Sequence, residues 1–515
     1  MNQSPTHETD VLIVGAGPTG LVLALWLTRL GARVRIVDKT TEAGTTSRAL
    51  AVQARTLELY SQIGIAGAVL ERGRKTIAAN FWVAGKHAAH FVLGEMGAGL
   101  SPFPYALVFP QDEHERLLIE RLGEAGIEVE RQTELVGFEE TGGRAIARLK
   151  QPDGGQQTCE AAYIAGCDGA RSTIREALGI GFPGGTYSHL FYVADVQASG
   201  APLNGELHVA LDRTDFLAVF PLKSQGHARL IGTVPEQTTT QGENLSWNDV
   251  SKRVLERLRM EIERVNWFST YRVHHRVADH FHRGRAFLLG DAAHIHSPVG
   301  GQGMNTGIGD AVNLAWKLAA VLNRRANPSL LESYEPERIA FARRLVATTD
   351  RAFTAVTSSG AIARVVRLRL VPLLFPRLFK FKTVRRLVFR TVSQTGVNYR
   401  PSSLSQGRAG ALHGGDRLPW VEADLNGKDN FAPLASLDWQ VHVYGDSRPE
   451  IQALCDARRL PLHVFAWRPE MGLAGLRRNA VYLLRPDGYL AVVDPGGSAA
   501  AITLYLDSRE LTPAR

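Results

Sequence analysis

Gly15, Gly17 and Gly20 stand in the order G-x-G-x-x-G, and Asp38 follows 23 residues after the first of them. The first glycine permits a tight turn, the second lets a phosphate approach the backbone, and the third lets a helix lie close on a strand. An acid at that distance hydrogen-bonds ribose hydroxyls, so the set reads as a site for the ADP moiety of a dinucleotide without deciding which one. A second glycine-rich stretch, "LLGDAAHIHSPVGGQGMN", carries Asp291, Gly301, Gly303, Met304 and Asn305. Between the two, Arg48, Gln111 and the pair Asp168-Gly169, with Arg171 and Arg175 close by, place polar groups where strands give way to helices. No zincin-type histidine pair, CxxC spacing or G-x-S-x-G elbow occurs, so neither metal nor covalent nucleophile chemistry is expected.

These groups need elements to hold them. "DVLIVGAGPTGLVLALWLTRLGARVRIVDK" reads as a strand, a glycine turn, an amphipathic helix closed near Gly31 and a second strand ending at Asp38. In such a βαβ unit the helix N-terminus offers free N–H groups and a positive dipole end to phosphates. "YALVFPQDEHERLLIERL" reads as a short strand, then Gln111, then a helix opened by Asp112 with Glu115 three positions on, a capping box. Asp168-Gly169 falls in a turn before a short helix, and Asp291 falls just beyond the strand "RAFLL". Residues 181–275 alternate like an antiparallel sheet, to which "NFWVAGKHAAHFVL" adds strands. The Gly, Ser and Pro of "YRPSSLSQGRAGALHGGDRLP" mark a linker. Beyond it come further strands, a hairpin about "PDG" and a closing helix.

The order G-x-G-x-x-G, Arg48, Gln111, Asp168-Gly169, Gly290-Asp291 resembles the class A flavoprotein monooxygenases, the para-hydroxybenzoate hydroxylase-like family, over about the first 345 residues. The resemblance implies α/β plus α+β architecture: a Rossmann-like FAD-binding domain of the glutathione-reductase type and an antiparallel β-sheet substrate domain. The β-β-α ending is similar to the thioredoxin-like C-terminal domain of phenol and aromatic polyketide hydroxylases. The expected division is 1–180 and 276–345 for FAD, with about 78–108 lending strands to the substrate sheet of 181–275. A basic helical connector over 346–400 and the thioredoxin-like domain over 401–515 complete it.

By the same resemblance Gly15, Gly17 and Gly20 take the FAD pyrophosphate, Asp38 the ribose, and Arg48 and Gln111 help hold FAD. Asp168 and Gly169 serve both FAD and NAD(P)H, and Asp291 contacts the ribityl and pyrophosphate region. Gly301 and Gly303 let backbone approach the isoalloxazine, while the N–H groups of Met304 and Asn305 face its N1–C2=O edge, where reduced flavin carries negative charge. The implied reaction uses NADPH or NADH as a transient reductant and O2 as co-substrate. It hydroxylates a phenolic or polycyclic aromatic substrate through a flavin C4a-hydroperoxide. Pro298 is placed beside the reactive flavin face. His189, Tyr192 and His208, with Phe216 and Phe220, are the sheet's candidates for substrate contact. Baeyer–Villiger or epoxidising relatives would use the same motifs. A flavin-dependent halogenase would need a G-W-x-W-x-I-P motif, which is absent, and a non-catalytic prenyl-GTPase chaperone of FAD-like fold has no use for both aspartate motifs.

Composition agrees with such a protein. At 515 residues, 44% hydrophobic and 21% charged, the chain has room for about three domains and no bias toward disorder. Cys159, Cys167 and Cys455 form no disulfide framework, which with the absence of a basic leader points to the cytoplasm, as monomer or homodimer. The net charge of +8 is concentrated in residues 364–390, which hold nine Lys and Arg and no acid. That stretch reads first as a helical connector packed on the body and second as a membrane-surface or partner-docking face. No nucleic-acid motif accompanies it and no segment is apolar enough to span a bilayer. Cys455, without a second cysteine near it, gives the last domain a structural rather than redox role.

Overall fold

The computed structural model describes residues 7–44, 49–212, 216–234, 245–297, 300–357, 374, 377–422 and 429–513, without the side chains of 7, 188, 189 and 352–357. Strands His7–Val14 and Val34–Val37 run parallel because helix Pro18–Arg29 returns the chain between them. Leu21 to Leu27 of that helix are all buried. A helix apolar on every side must be covered on every side. It is covered by the sheet and by helices Gly303–Leu322 and Gln111–Glu124. The parallel order is Ala286–Leu288, Gln156–Gly166, His7–Val14, Val34–Val37, Val129–Glu130, with an antiparallel extension of strands Glu134–Thr141 and Arg144–Lys150. In such sheets ligands bind beyond the carboxyl ends of the strands. Gly15, Asp38, Asp168 and Asp291 each stand just past the end of a different one of these strands.

A second, eight-stranded sheet runs His294–Ile295, Met260–Val277, Gly184–Gly200, His227–Thr233, Phe216–Pro221, Leu207–Leu211, Ala78–Val83, Lys86–Val92. Strands Ala78–Val83 and Lys86–Val92 thus extend it at one edge, the former parallel to Leu207–Leu211. One face buries Tyr192, Ala194, Val196, Leu217 and Leu230 under Val254 and Leu255 of the short helix Arg253–Arg257. The other turns Phe191, Val193, Ala218, Ile231 and Val273 toward Val108, in the central strand of a small three-stranded sheet of the parallel-sheet half, and Leu50, just before another of its strands.

The third sheet has the order Leu412–His413, Gln406–Ala409, Leu490–Asp494, Val481–Leu484, Gln440–Tyr444, Leu462–Phe465. Along the chain its last four strands read β-α-β-α-β-β-α, with Gln440–Tyr444 parallel to Leu462–Phe465 and antiparallel to Val481–Leu484. The hairpin about Pro486-Asp487-Gly488 is present, closed by the Gly488 N–H donating to the Arg485 carbonyl. Cys455 is buried and unbridged.

The expected linker near residue 400 is a packed seam instead. Tyr399 is only 4% exposed and its hydroxyl accepts from Arg338, while the Ser402 hydroxyl donates to Glu337. Polar, glycine-rich sequence signals turns. It says nothing about whether those turns are covered. Here helix Tyr334–Thr357 packs on the start of the stretch, Phe341 and Leu345 against Tyr399, and Gln406–Ala409 then joins the third sheet.

Candidate active site

Gly15 has φ +104, and a Cβ there would lie 2.3 Å from the Cys167 carbonyl oxygen; at Gly20 it would lie 2.0 Å from the Gly15 carbonyl oxygen. Both glycines therefore serve close backbone packing. Gly17 differs, since its φ is −75 and a Cβ there would meet nothing within 4 Å. It lines open space at the N-terminus of helix Pro18–Arg29, as a cradle for a pyrophosphate requires. Asp38 faces the same loop, accepting from Ala16 N–H at 2.7 Å through one oxygen and from Thr40 N–H at 2.8 Å through the other.

Gln111 is the first residue of helix Gln111–Glu124, and the N-cap is Pro110, without a side-chain cap bond. The expected capping box is absent because the helix begins one residue early: Asp112 pairs with Arg116 instead. Glu115 accepts from Gln111 at 2.8 Å and from Gly44 N–H at 3.2 Å. Burial pushes the Glu115 carboxyl up. Arg48 and Pro298 lie outside the described residues, as does the side chain of His189.

Asp168 accepts from Ile174 N–H through Oδ2, while its buried Oδ1 has no hydrogen-bond partner among the described residues. Burial raises this carboxyl too. A buried acceptor without a donor is costly, so its orphaned state suits a group brought by a ligand. Gly169, at φ +78, leaves the space beside it clear. Arg171 is exposed. Arg175 turns inward: it is buried, stacked on Phe182, and its guanidinium donates to the Ala292 and Ala170 carbonyls.

Asp291 is exposed at the end of its strand. The loop that carries it is held from behind by Asp310, which accepts from Gly290 N–H at 3.0 Å and contacts His294 at 2.7 Å and Arg338 at 2.6 Å. Gly301 has φ +60 and packs where a Cβ would be 2.8 Å from the Ala51 methyl. Gly303, Met304 and Asn305 form the first turn of helix Gly303–Leu322, whose earliest N–H-to-carbonyl bond is from Thr306 to Gln302. The Asn305 side chain accepts from Gln53 N–H and Thr56 and donates to the Ala51 and Gly301 carbonyls, tying the loop to the adjacent strand. His296, which the motifs did not single out, turns a buried Nε2 without a partner among the described residues toward Gly303. Burial lowers its pKa to about 4.

Two of the expected substrate contacts lie on the face of the antiparallel sheet turned away from the parallel-sheet half. Tyr192 packs with Trp247 and Phe268 on the far face of the antiparallel sheet. His208, opposite Val219 of that same face, accepts from the Trp82 indole at 3.0 Å. Period-two alternation puts neighbours on opposite faces. The face toward the parallel-sheet half therefore carries Phe191 rather than Tyr192. Around it stand Tyr187, Phe216, Phe220, Trp267 and Tyr271, all half-buried. The Tyr187 hydroxyl donates to Asp350 of helix Tyr334–Thr357. Burial and that carboxylate together keep the phenol protonated.

A polar cradle beyond four parallel strand ends and a helix N-terminus aimed into it, both beside an aromatic-faced sheet, define a flavin-dependent oxygenase architecture. The family described as "FAD binding domain" matches residues 8–349. The chain belongs to that family and is an FAD-dependent monooxygenase. It is 32% identical to the 6-methylpretetramide 4-monooxygenase of Streptomyces rimosus, across 98% of this chain and 94% of the relative. Pentachlorophenol 4-monooxygenase of Sphingobium chlorophenolicum is 32% identical over 81% of this chain and 77% of its own. Among solved structures, the OxyS anhydrotetracycline hydroxylase of Streptomyces rimosus superposes with a TM-score of 0.78 at 28% identity, covering 98% of this chain and all of that one.

Proposed function

We propose that the protein hydroxylates a polycyclic, polyketide-like phenol seated between the aromatic face of the antiparallel sheet and the flavin. The observation that carries this is the face itself: Phe191, Phe216, Phe220, Trp267 and Tyr271 turned toward Leu50 and Val108. Flat aromatic walls suit a flat, extended ligand. Relatives named for tetracycline-type substrates support the polycyclic class.

The residues that would hold FAD are Gly17 and its helix at the pyrophosphate, Asp38 at the ribose, Asp168 and Asp291 along the chain between, and the N-terminus of Gly303–Leu322 at the ring. When bound, FAD accepts hydride from NADPH or NADH and activates O2 for transfer to the substrate ring. The protein orients the substrate and excludes water from that transfer. Tyr187 and Asp350 form a proton path: a phenol placed against Tyr187 Oη passes its proton to that hydroxyl as Tyr187 gives its own to Asp350. The β-α-β-α-β-β-α order supports a thioredoxin-like C-terminal domain over 401–515, and a lone buried Cys455 supports its structural role. The division into 1–180, 181–275, 276–345, 346–400 and 401–515 is part of the proposal.

The test is NADPH and NADH oxidation by the holoenzyme with matched monocyclic and polycyclic phenols, with products weighed. Polycyclic phenols should accelerate oxidation and gain one oxygen on an intact ring system. Stimulation by monocyclic phenols alone would overturn the substrate class, and a ring-expanded lactone or epoxide would replace hydroxylation by the alternative chemistries.

A further inference from the structure

We propose that the surface built by Leu374, residues 377–392 and the adjoining helix Leu93–Gly97 docks on an anionic lipid bilayer. Helix Lys382–Val392 lies on helix Leu93–Gly97, with Phe379 and Phe389 buried against Met96 and Leu100. What it leaves outside is unusual. Leu374 is 48% exposed, Leu378 50%, Phe381 64% and Leu387 64%. Ile77 and Val92, exposed by 60% and 39%, stand where strand Lys86–Val92 runs into helix Leu93–Gly97, the Leu93 N–H donating to the Ile77 carbonyl. Together these are six of the ten large apolar side chains exposed among the described residues. Single exposed leucines need no explanation, but apolar side chains gathered on one surface mark a contact.

Charge says which contact. Arg377, Lys380 and Lys382 are exposed among these side chains. The chain contains no Asp or Glu from Arg351 to Gly415, a span that holds twelve Lys and Arg. Glu95, the acid on the neighbouring helix, is engaged with Arg385 at 3.4 Å. Exposed Leu and Phe interspersed with exposed cations match a bilayer interface, where acyl chains take the apolar side chains and anionic headgroups the charged nitrogens. No helix among the described residues is long and apolar enough to cross a membrane, so the contact is peripheral.

The experiment is sedimentation of the full-length holoenzyme with phosphatidylcholine vesicles containing about one third phosphatidylglycerol, or none, at about 0.1 M and about 0.5 M salt. Each exposed cation near an anionic leaflet is worth about fivefold in partitioning, so Lys380 and Lys382 predict about a 25-fold preference for the anionic vesicles, weakened by salt. Phe381→Asp with Leu387→Asp should lower partitioning at least about tenfold. Lys380→Glu with Lys382→Glu should abolish the anionic preference, and bound flavin absorbance reports that each variant is folded. Equal partitioning to neutral vesicles, or unchanged partitioning in both folded variants, overturns the proposal. So does a concentration-dependent dimer that the same substitutions dissolve, which would make the occupant a second copy.

Discussion

Against the C-terminal sheet, the parallel-sheet half presents Glu337, Lys317 and Arg55, all buried and ion-paired; against the antiparallel sheet it presents Leu50 and Val108 to half-buried aromatic rings. At the first boundary Glu337 accepts from Arg485 at 2.7 and 3.0 Å, from Lys317 at 2.9 Å, from Asn313 at 2.7 Å and from Ser402 at 2.6 Å. Arg485 also bonds Asp487 and lies over Trp316, Tyr399 and Tyr489. Arg417 and Arg55 share Glu58, and Arg55 reaches the Asp487 carbonyl. A boundary made of directional, fully satisfied charges cannot slide without stranding one of them in a low dielectric. A boundary of apolar faces has no such register and can open to a ligand. The molecule thus welds one neighbour to the flavin cradle and leaves the other, where we propose substrate sits, without such a lock. The weld reaches the cradle itself: Arg338 bonds Asp310, Tyr399 and the Thr306 carbonyl, and Gln394 bonds the Gln302 carbonyl and Thr306.

The largest expected effect breaks the weld. Glu337→Ala leaves Lys317 and Arg485 without their shared carboxylate and should cost about 3 to 5 kcal/mol, read as a lowered denaturation midpoint with loss of flavin. A cost below about 1 kcal/mol would mean the seam is loose and the contrast false.

Next comes an acid effect that belongs to neither boundary. His114 is fully buried with Tyr60, and burial lowers its pKa from 6.5 to about 3. Its folded-state pKa is depressed, so the neutral form's contribution is complete above pH 6.5 and is lost progressively as pH falls toward about 3. At pH about 4.5 the loss is about 2 to 3 kcal/mol. His114→Gln should flatten that slope in denaturant titrations across the window, and an unchanged slope would assign acid sensitivity to the seam.

Smaller still is the cradle. Gly17→Ala adds a methyl where nothing stands within 4 Å, so the fold should keep its stability while FAD affinity falls by about 1.5 to 2 kcal/mol. Gly15→Ala should instead unfold the loop, its Cβ meeting the Cys167 carbonyl at 2.3 Å. Equal flavin binding in wild type and Gly17→Ala would move the pyrophosphate elsewhere.

The finest test concerns the substrate boundary. Phe216→Leu should raise peroxide release relative to product, while Tyr192→Phe should change neither coupling nor stability by more than about 0.5 kcal/mol. The reverse pattern would put substrate on the other face of the sheet.

Gly15, Gly17, Gly20 and Asp38 could be read from the sequence because their job depends on local backbone: a strand end, a turn and a helix start lie within a few residues of one another. The same holds for Asp168-Gly169, and for Asp291 ahead of Gly303 and Met304. Asp310, Arg338, Glu337 and Arg485 could not be read this way. Each is an ordinary charged residue on a helix or hairpin until a partner up to 148 positions away is brought to it. Phe191 and Tyr192 show the same limit at the shortest range, since either could face the flavin until the sheet's register is known.

By itself, then, the sequence determined the nucleotide-binding turns, the strand and helix periods and the chemistry they serve, because glycine conformations and hydrophobic repeats act over a handful of residues. Only the tertiary structure decided which face of the antiparallel sheet meets the flavin cradle and that the presumed linker packs on helix Tyr334–Thr357 and then enters the third sheet. It also decided which charges pair across the boundary with that sheet, because each depends on what the folded chain brings within a few ångströms and excludes from water.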